Sequence, residues 1–341
     1  MPSVFYTVLA TILACLALAA LLTWLRAYQR SHQAQTLYPP RGRMITVNGH
    51  PVHVLQLGSG PDVVVVHGVT SQMIEPLETY VPALLPHFRV TLIDRPGLGY
   101  TPRLNHQGES LREQAEFLDD TCAALGLDQV TLLGQSFGGS IALAWALYRP
   151  ERLSSMVLVG TPAFPWLPKL PWRVRGPALP VLGPLVAQVV TAWFPQSRFD
   201  RDYIAYFAPR EMPQGYARKV GLRLTLRPHS IVSDNRQLKR MQPDLAEMGP
   251  HYGEIRMPVE ILFGGSDVIT APQLHGVPLS REIPGARLKQ LKDQGHMVHV
   301  GGAAEIAEAV QRAARRARIA PAMAAAAAAG GNRAEGARPA G

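Results

Sequence analysis

Residues 131–153 read TLLGQSFGGSIALAWALYRPERL, and they set a hydroxyl, Ser136, between glycines where a β-rich run gives way to a helical one. The upstream run QVTLL has the pattern of a buried strand, and the run from Phe137 to Tyr148 that of an apolar helix. A sharp turn between the two lifts a side chain above the sheet edge, and Gly134 and Gly138 let strand and helix pack closely there. A helix that starts at this corner also points its unpaired N–H groups and positive dipole end at the same place, which favours negative charge. The plainer alternative is that Ser136 only caps the helix.

The alternation extends in both directions. DVVVVHG, RVTLID, LSSMVLVG and VEILFGG are apolar, β-branched runs without polar alternation, as expected of strands covered on both faces. Helical patterns near Ile74–Leu85 and Glu109–Leu125 lie between them. Strands alternating with helices imply a mostly parallel sheet flanked by helices, an α/β fold. Before it, MITV and VHVLQL flank Asn48-Gly49, the signature of a hairpin turn. The alternation breaks between Thr161 and about Met257, where eight prolines fall from Pro162 to Pro195 along with three of the five tryptophans. Prolines at that density forbid a regular strand and keep helices short, so residues 162–256 are expected to form a helical cap. The core is then 44–161 and 257–320, and the low-complexity tail 321–341 is expected to be disordered.

Length and composition bound the class. A chain of 341 residues with 47% apolar content can bury a full core. Its 34 basic and 25 acidic residues give a net charge of +9, without the clustered basic and aromatic residues of a nucleic-acid module, so no nucleic-acid partner is expected. Cys15 and Cys122 lack disulfide or metal-ligand spacing and read as small buried residues. From Val4 to Leu25 run 22 residues without a charge, about 33 Å of helix, enough to cross a bilayer. No Lys or Arg precedes the run and it exceeds a usual signal-peptide core, so residues 1–26 are expected to be an uncleaved anchor and 27–43 a polar linker. Arg26, Arg30, Arg41 and Arg43 follow, with no acidic residue before Asp62, which puts the catalytic body in the cytoplasm.

A serine hydroxyl is a weak nucleophile until a histidine takes its proton and a carboxylate fixes that histidine's tautomer. Asp267 lies just past the strand VEILFGG, at the edge where loops of a parallel sheet build sites, and His296 follows a glycine in LKDQGHMVHV. His299 and Asp293 are competitors, the first within an apolar run and the second in the same loop as His296. His67 ends a strand and reads as a hydrogen-bonding residue that shapes its loop. An oxyanion hole needs two backbone N–H groups; Phe137 after the serine and Val69 after His67-Gly68 are the candidates.

In order along the chain, HGVT, DRPGLGYT, GQSFGG, FGGSD and QGHM resemble the loop motifs of the α/β-hydrolase family of esterases and lipases, over Met44 to Arg318 apart from the cap. The resemblance implies the order Ser136, Asp267, His296 for a catalytic triad, an eight-stranded sheet and a cap after the sixth strand. It implies no cofactor and no metal, and a structural turn at Asp94–Thr101 with no catalytic role for Asp94. Members with an aspartate nucleophile open epoxides or release halide; a serine implies acyl transfer. The expected function is a membrane-anchored serine hydrolase of carboxylic esters with apolar acyl groups, an esterase or lipase whose partners are a lipid ester and the membrane. The alternatives are a serine hydrolase acting on a carbon–carbon bond, lactone, amide or peracid, and a ligand-binding protein of the same fold without turnover.

Overall fold

A computed structural model describes residues 2–166 and 172–318. The tail expected to be disordered, 321–341, lies outside the described residues, as does the short stretch 167–171 of the expected cap. Eight strands form one sheet: β1 (Arg43–Val47), β2 (His50–Leu57), β3 (Asp62–Val66), β4 (Arg89–Ile93), β5 (Val130–Gln135), β6 (Leu153–Val159), β7 (Val259–Gly264) and β8 (Arg287–Leu291). Their spatial order is β1-β2-β4-β3-β5-β6-β7-β8. β1 and β2 are antiparallel across Asn48-Gly49, whose φ angles of 50° and 80° make the tight turn, and β2 runs antiparallel to β4. Every pairing from β4 through β3 and β5 to β8 is parallel.

The chain winds from β3 out to β4 and then crosses back to β5, so the order reverses between β3 and β5. Loops leaving the carboxyl ends of those two strands therefore diverge and open a crevice, the place where α/β sheets bind ligands. His67-Gly68-Val69 leaves β3 and Ser136 leaves β5, so the topology alone brings them together. β5 is buried at all six positions, Thr131 and Gln135 included, which is why its sequence lacks the regular apolar–polar alternation of a half-exposed strand.

Two apolar layers sandwich the sheet. One is built from α4 (Leu111–Ala124) and α5 (Phe137–Tyr148) and includes the fully buried Trp145. The other includes α2 (Ile74–Thr79), α3 (Val81–Leu84) and a helix over 303–318. Between β6 and β7 the chain leaves the sheet for a helical insertion: α6 (Trp172–Arg175), α7 (Gly183–Trp193), α8 (Gln196–Ile204), α9 (Tyr216–Lys219), the 3-10 turn Leu222–Leu226 and α10 (Pro228–Met248). α11 (Gly276–Glu282) and the short α12 (Val298–Gly301) complete the body.

The N-terminal helix departs from the sequence expectation. α1 runs from Pro2 to Leu37 without a break, so residues 27–37 are helix where a polar linker is expected. The reason is local: AYQRSHQAQTL contains no proline or glycine, and the first breakers are Pro39, Pro40 and Gly42. Ala27 and Ala34, two turns apart, are buried, and Ala34 packs with Ile74 and Leu224 of the body. A stripe made of alanines carries little hydropathy, which hides its amphipathic pattern from a reading based on large apolar residues. The outer part of α1 is long and apolar enough to cross a membrane, with a mean hydropathy of 2.5 over a window that the body leaves fully exposed. Cys122 is buried as expected, whereas Cys15 stands exposed on α1.

Gly138 occupies a place with no room for a side chain. A β-carbon there would lie 2.2 Å from the Val66 carbonyl oxygen and 2.7 Å from that of His67, and backbone cannot rotate aside. Gly138→Ala is expected to cost about 2 kcal/mol through overpacking and to lower the melting temperature by several degrees in a thermal melt; an unchanged melting temperature would contradict the close approach.

Candidate active site

Ser136 sits between β5 and α5 with φ 50° and ψ −121°, a state that a residue with a β-carbon rarely adopts. Its backbone N–H donates to Val159 O on β6 at 2.7 Å, which ties the corner to the neighbouring strand. Its side chain makes no capping bond to α5, so the capping alternative does not describe it. Instead Oγ lies 3.0 Å from Nε2 of His296.

The other ring nitrogen of His296, Nδ1, lies 2.9 Å from Oδ2 of Asp267. Asp267 is fixed in turn: Ile269 N–H and Thr270 N–H donate to its Oδ1 at 2.8 and 3.0 Å, and the Thr270 hydroxyl donates to Oδ2 at 2.8 Å. Burial alone would raise the Asp267 carboxyl, but His296 and the Thr270 donors outweigh it and hold it below the usual carboxylate range. Ionised Asp267 requires the proton of a neutral His296 to sit on Nδ1, which leaves Nε2 as the acceptor facing the serine. The three expected residues thus form one hydrogen-bonded series. Its buried end is the carboxylate, 3% exposed, while Ser136 and His296 are only partly buried and face the crevice.

The expected competitors lie elsewhere. Asp293 occupies a left-handed turn, φ 57°, where its carbonyl accepts from Arg210 Nε at 3.0 Å. His299 is buried on α12, with Nε2 3.5 Å from Glu75 Oε1 and 3.2 Å from Gln135 Nε2. His67 is held in its loop as expected: Arg95 N–H donates to Nε2 at 3.0 Å, and Nδ1–H donates to Gly68 O at 3.1 Å. Burial first and the Arg95 charge second push its pKa down to about 4, so the ring is neutral, as that bonding pattern demands.

Gly68 lies directly over the serine, since a β-carbon there would be 3.2 Å from Ser136 Cβ. Val69 follows Gly68 and Phe137 follows Ser136, and among the described residues neither backbone N–H has a backbone acceptor.

Several residues that shape this site were not visible in the sequence. Arg95 is fully buried; its NH2 donates to Gly68 O at 3.0 Å and to Asp234 Oδ1 at 3.4 Å, and its NH1 to Gln237 Oε1 at 3.0 Å. Asp234, on α10, accepts from Thr70 N–H at 2.6 Å, so one ion pair holds both ends of the turn that carries Val69. Thr70 itself has φ 50°, a second strained residue beside the first. The His296 loop is clasped from the same insertion: Met297 N–H donates to Tyr206 O at 3.2 Å, and the Tyr206 and His296 rings lie 6.0 Å apart. Beneath both loops Glu75 accepts from Tyr216 at 2.7 Å, from Tyr203 at 3.1 Å and from Ser71. Burial would raise the Glu75 carboxyl, but pairing with His299 and these hydroxyls holds it at about 2. The only available sequence signal was the placement of polar residues in otherwise apolar runs.

The hydrogen-bonded series is one in which His296 can take a proton from Ser136 while the Asp267 carboxylate balances the imidazolium. The alpha/beta hydrolase fold family matches residues 61–303, and the chain belongs to that family, which supports hydrolase activity for it. Among its relatives, 2-hydroxy-6-oxo-2,4-heptadienoate hydrolase of Pseudomonas putida is 36% identical over 123 residues, a match that covers 35% of this chain and 44% of that protein. The pimeloyl-(acyl-carrier protein) methyl ester esterase of Nitrosomonas europaea is 26% identical over 246 residues, covering 72% of this chain and 92% of that one. In structure, a thermophilic esterase from Thermogutta terrifontis superimposes with a TM-score of 0.66 at 21% identity, over 81% of this chain and 99% of that one.

The buried pair and the held carboxylate make two expectations. Removing Arg95 leaves Asp234 buried without its partner, so Arg95→Met is expected to lose about 3 kcal/mol of stability in chemical denaturation. An unchanged midpoint would mean that the turn at Val69 does not depend on it. Because Asp267 titrates below its unfolded value, its ionised form stabilises the native state above about pH 4, and that contribution disappears as acid protonates it. The stability difference between wild type and Asp267→Asn should be steady above that pH and close below it; a difference that grows in acid would reverse the sign.

Proposed function

We propose that this chain is a membrane-anchored serine hydrolase that cleaves carboxylic esters of apolar acyl groups. The observation that carries the reading is the continuous series from Ser136 Oγ through His296 to Asp267, at 3.0 and 2.9 Å. In the proposed reaction Ser136 attacks the ester carbonyl while His296 Nε2 accepts its proton, and the carbonyl oxygen, now negative, is held by the N–H groups of Val69 and Phe137. His296 returns the proton to the leaving alkoxide, which departs as the alcohol. Water, deprotonated by the same ring, then attacks the acyl-enzyme, and the acid is released with Ser136 restored. Asp267 keeps Nδ1 protonated and balances the imidazolium without taking the proton itself.

The helical insertion is proposed to act as a cap that selects the acyl group, because its Tyr206 stands beside His296 and its tryptophans, leucines and valines suit an apolar chain. The relative from Nitrosomonas europaea, named as a methyl ester esterase, supports ester chemistry. The relative from Pseudomonas putida, named as a hydrolase of 2-hydroxy-6-oxo-2,4-heptadienoate, favours a second reading in which the same residues act on a different bond. α1 is proposed to anchor the body in the membrane, with the body on the cytoplasmic side as its arginines suggest.

A panel of p-nitrophenyl esters of increasing acyl length, run beside amides, lactones and 2-hydroxy-6-oxo-dienoates, separates the two readings. Ester hydrolysis whose kcat/KM climbs from acetyl to longer acyl groups is expected; activity confined to the dienoate would favour the second reading. Asp267→Asn should lower kcat by roughly 10⁴, through the wrong imidazole tautomer. External protease should spare the body in intact spheroplasts, and its digestion there would reverse the orientation.

A further inference from the structure

α7 is patterned inside out. Leu182 at its N-cap, then Leu185, Val189 and Trp193, recur every three or four residues and stand 56%, 62%, 52% and 51% exposed. Gly183, Ala187 and Thr191 form the face turned toward the body. A helix bathed in water has the reverse arrangement, with its large apolar residues inside. The neighbour of that stripe is the end of the apolar run of α1. Trp193 Nε1 donates to Thr23 Oγ1 at 3.0 Å, Arg26 Nε donates to Ala192 O at 2.8 Å, and the Arg26 guanidinium lies 4.8 Å over the Trp193 ring. The outward face of α7 therefore continues the surface of the apolar helix at its inner boundary, where Trp24 and Trp193 supply the aromatic residues usual at a membrane interface.

One turn further along α1, Arg30 donates to Thr191 O and Phe194 O at 2.9 Å each. Beside it opens a pocket of about 250 Å³ lined on its polar side by Arg30, Ser31, Gln33, Thr191, Arg223 and Arg227. Arg223 and Arg227 arrive from the 3-10 turn Leu222–Leu226 and the residue after it, so the fold, not the local sequence, gathers these charges. Arg227 is buried and spends donors on Leu224 O and Gly99 O, with Asp94 acting on its charge. Among the described residues no carboxylate pairs with Arg26, Arg30 or Arg223, and the charges acting on Arg30 are the like charges of Arg26 and Arg223. Several like charges converging on one pocket repel unless an anion joins them. Arg30 lies five residues past Leu25, about 7.5 Å along the helix, and the polar layer of a bilayer is about 5–7 Å deep on each side. The depth of the pocket matches that of lipid phosphates.

We propose that the junction of α1, α7 and the 3-10 turn is a phospholipid site: the α7 stripe lies against acyl chains, and the arginine pocket takes the phosphate of an anionic headgroup. The proposal rests on the reading of α1 as a membrane span. The guanidinium fork matches two phosphate oxygens at once, which an ammonium does not. Such a site would hold the insertion, and with it Tyr206 and Asp234 around the catalytic loops, against the surface from which an apolar ester arrives.

Native mass spectrometry of the full-length protein, released from micelles holding phosphatidylglycerol and phosphatidylcholine in equal amounts, tests it. Wild type is expected to retain phosphatidylglycerol about tenfold over phosphatidylcholine. Arg30→Gln with Arg223→Gln should remove that preference, and Leu185→Ser with Val189→Ser should reduce retention of both lipids. Near-UV circular dichroism of each variant checks that it is folded. Equal retention by wild type, or a preference that survives in the folded arginine variant, overturns the proposal. A rise in melting temperature with millimolar inorganic phosphate that lipid does not enlarge would assign the pocket to a free anion instead. Alkaline carbonate extraction of wild type from membranes reads the span separately, so release there defeats the anchor without deciding the micelle result.

Discussion

Ser136 is kept in a backbone state that costs roughly 1–3 kcal/mol and survives only where the surroundings leave no other choice. The surroundings here are backbone. Ser136 N–H is bonded to β6, its carbonyl accepts from Gly139 N–H at 2.8 Å, and Gly138 is pressed against the Val66 carbonyl at the end of β3. Three neighbouring strands thus fix one residue, and its side-chain oxygen lies 3.0 Å from His296 in the loop after β8. Parallel order makes this possible, because β3, β5, β6 and β8 all end at the same edge of the sheet.

What the sheet does for the serine, buried charge does for the loops around it. Arg95 bonds the carbonyl of Gly68 and the carboxylate that holds Thr70, and it stacks 4.4 Å over the Phe137 ring, so it touches both the loop after β3 and the start of α5. The arrangement is not cheap: burial lowers the Arg95 pKa to about 10 and raises that of Asp234 despite their attraction. A pair in which desolvation outweighs the Coulombic gain adds little stability; its contribution here is to fix a geometry. Asp234, Tyr206, Tyr203, Tyr216 and Arg210 all belong to the insertion, so that segment is bonded to the loops it covers. Anything that holds or shifts the insertion acts on the site through those bonds.

Much of this was legible in the sequence for a physical reason. Strands covered on both faces are mostly apolar, and the valine, leucine and isoleucine runs within β3, β5, β6 and β7 show it; a tight hairpin needs positive φ, and Asn48-Gly49 offers it. The corner at Ser136 needs small residues at fixed offsets, which GQSFGG supplies. Residues whose meaning is local could therefore be read, and Asp267 and His296 could be read because each directly follows or precedes such a local pattern. Arg95, Asp234 and Glu75 could not, since their partners lie far along the chain and only the folded topology joins them; His299 was legible only as a residue of an apolar run, not as the partner of Glu75. The continuation of α1 escaped for a different reason: Ala27 and Ala34 bury a face without large side chains, so the helix resembles a polar linker.

Acyl transfer at this corner requires the Ser136 oxygen to be the group that His296 activates. The same hydrogen-bonded series could serve esters, lactones or carbon–carbon bonds, and the relatives carry names of different substrates. Peptide mapping after exposure of the folded protein to a fluorophosphonate tests this most directly. The account expects one phosphonyl adduct, on the peptide containing Ser136, with labelling sharply slowed in His296→Ala. An adduct on another residue, or undiminished labelling of Ser136 without the imidazole, would contradict it.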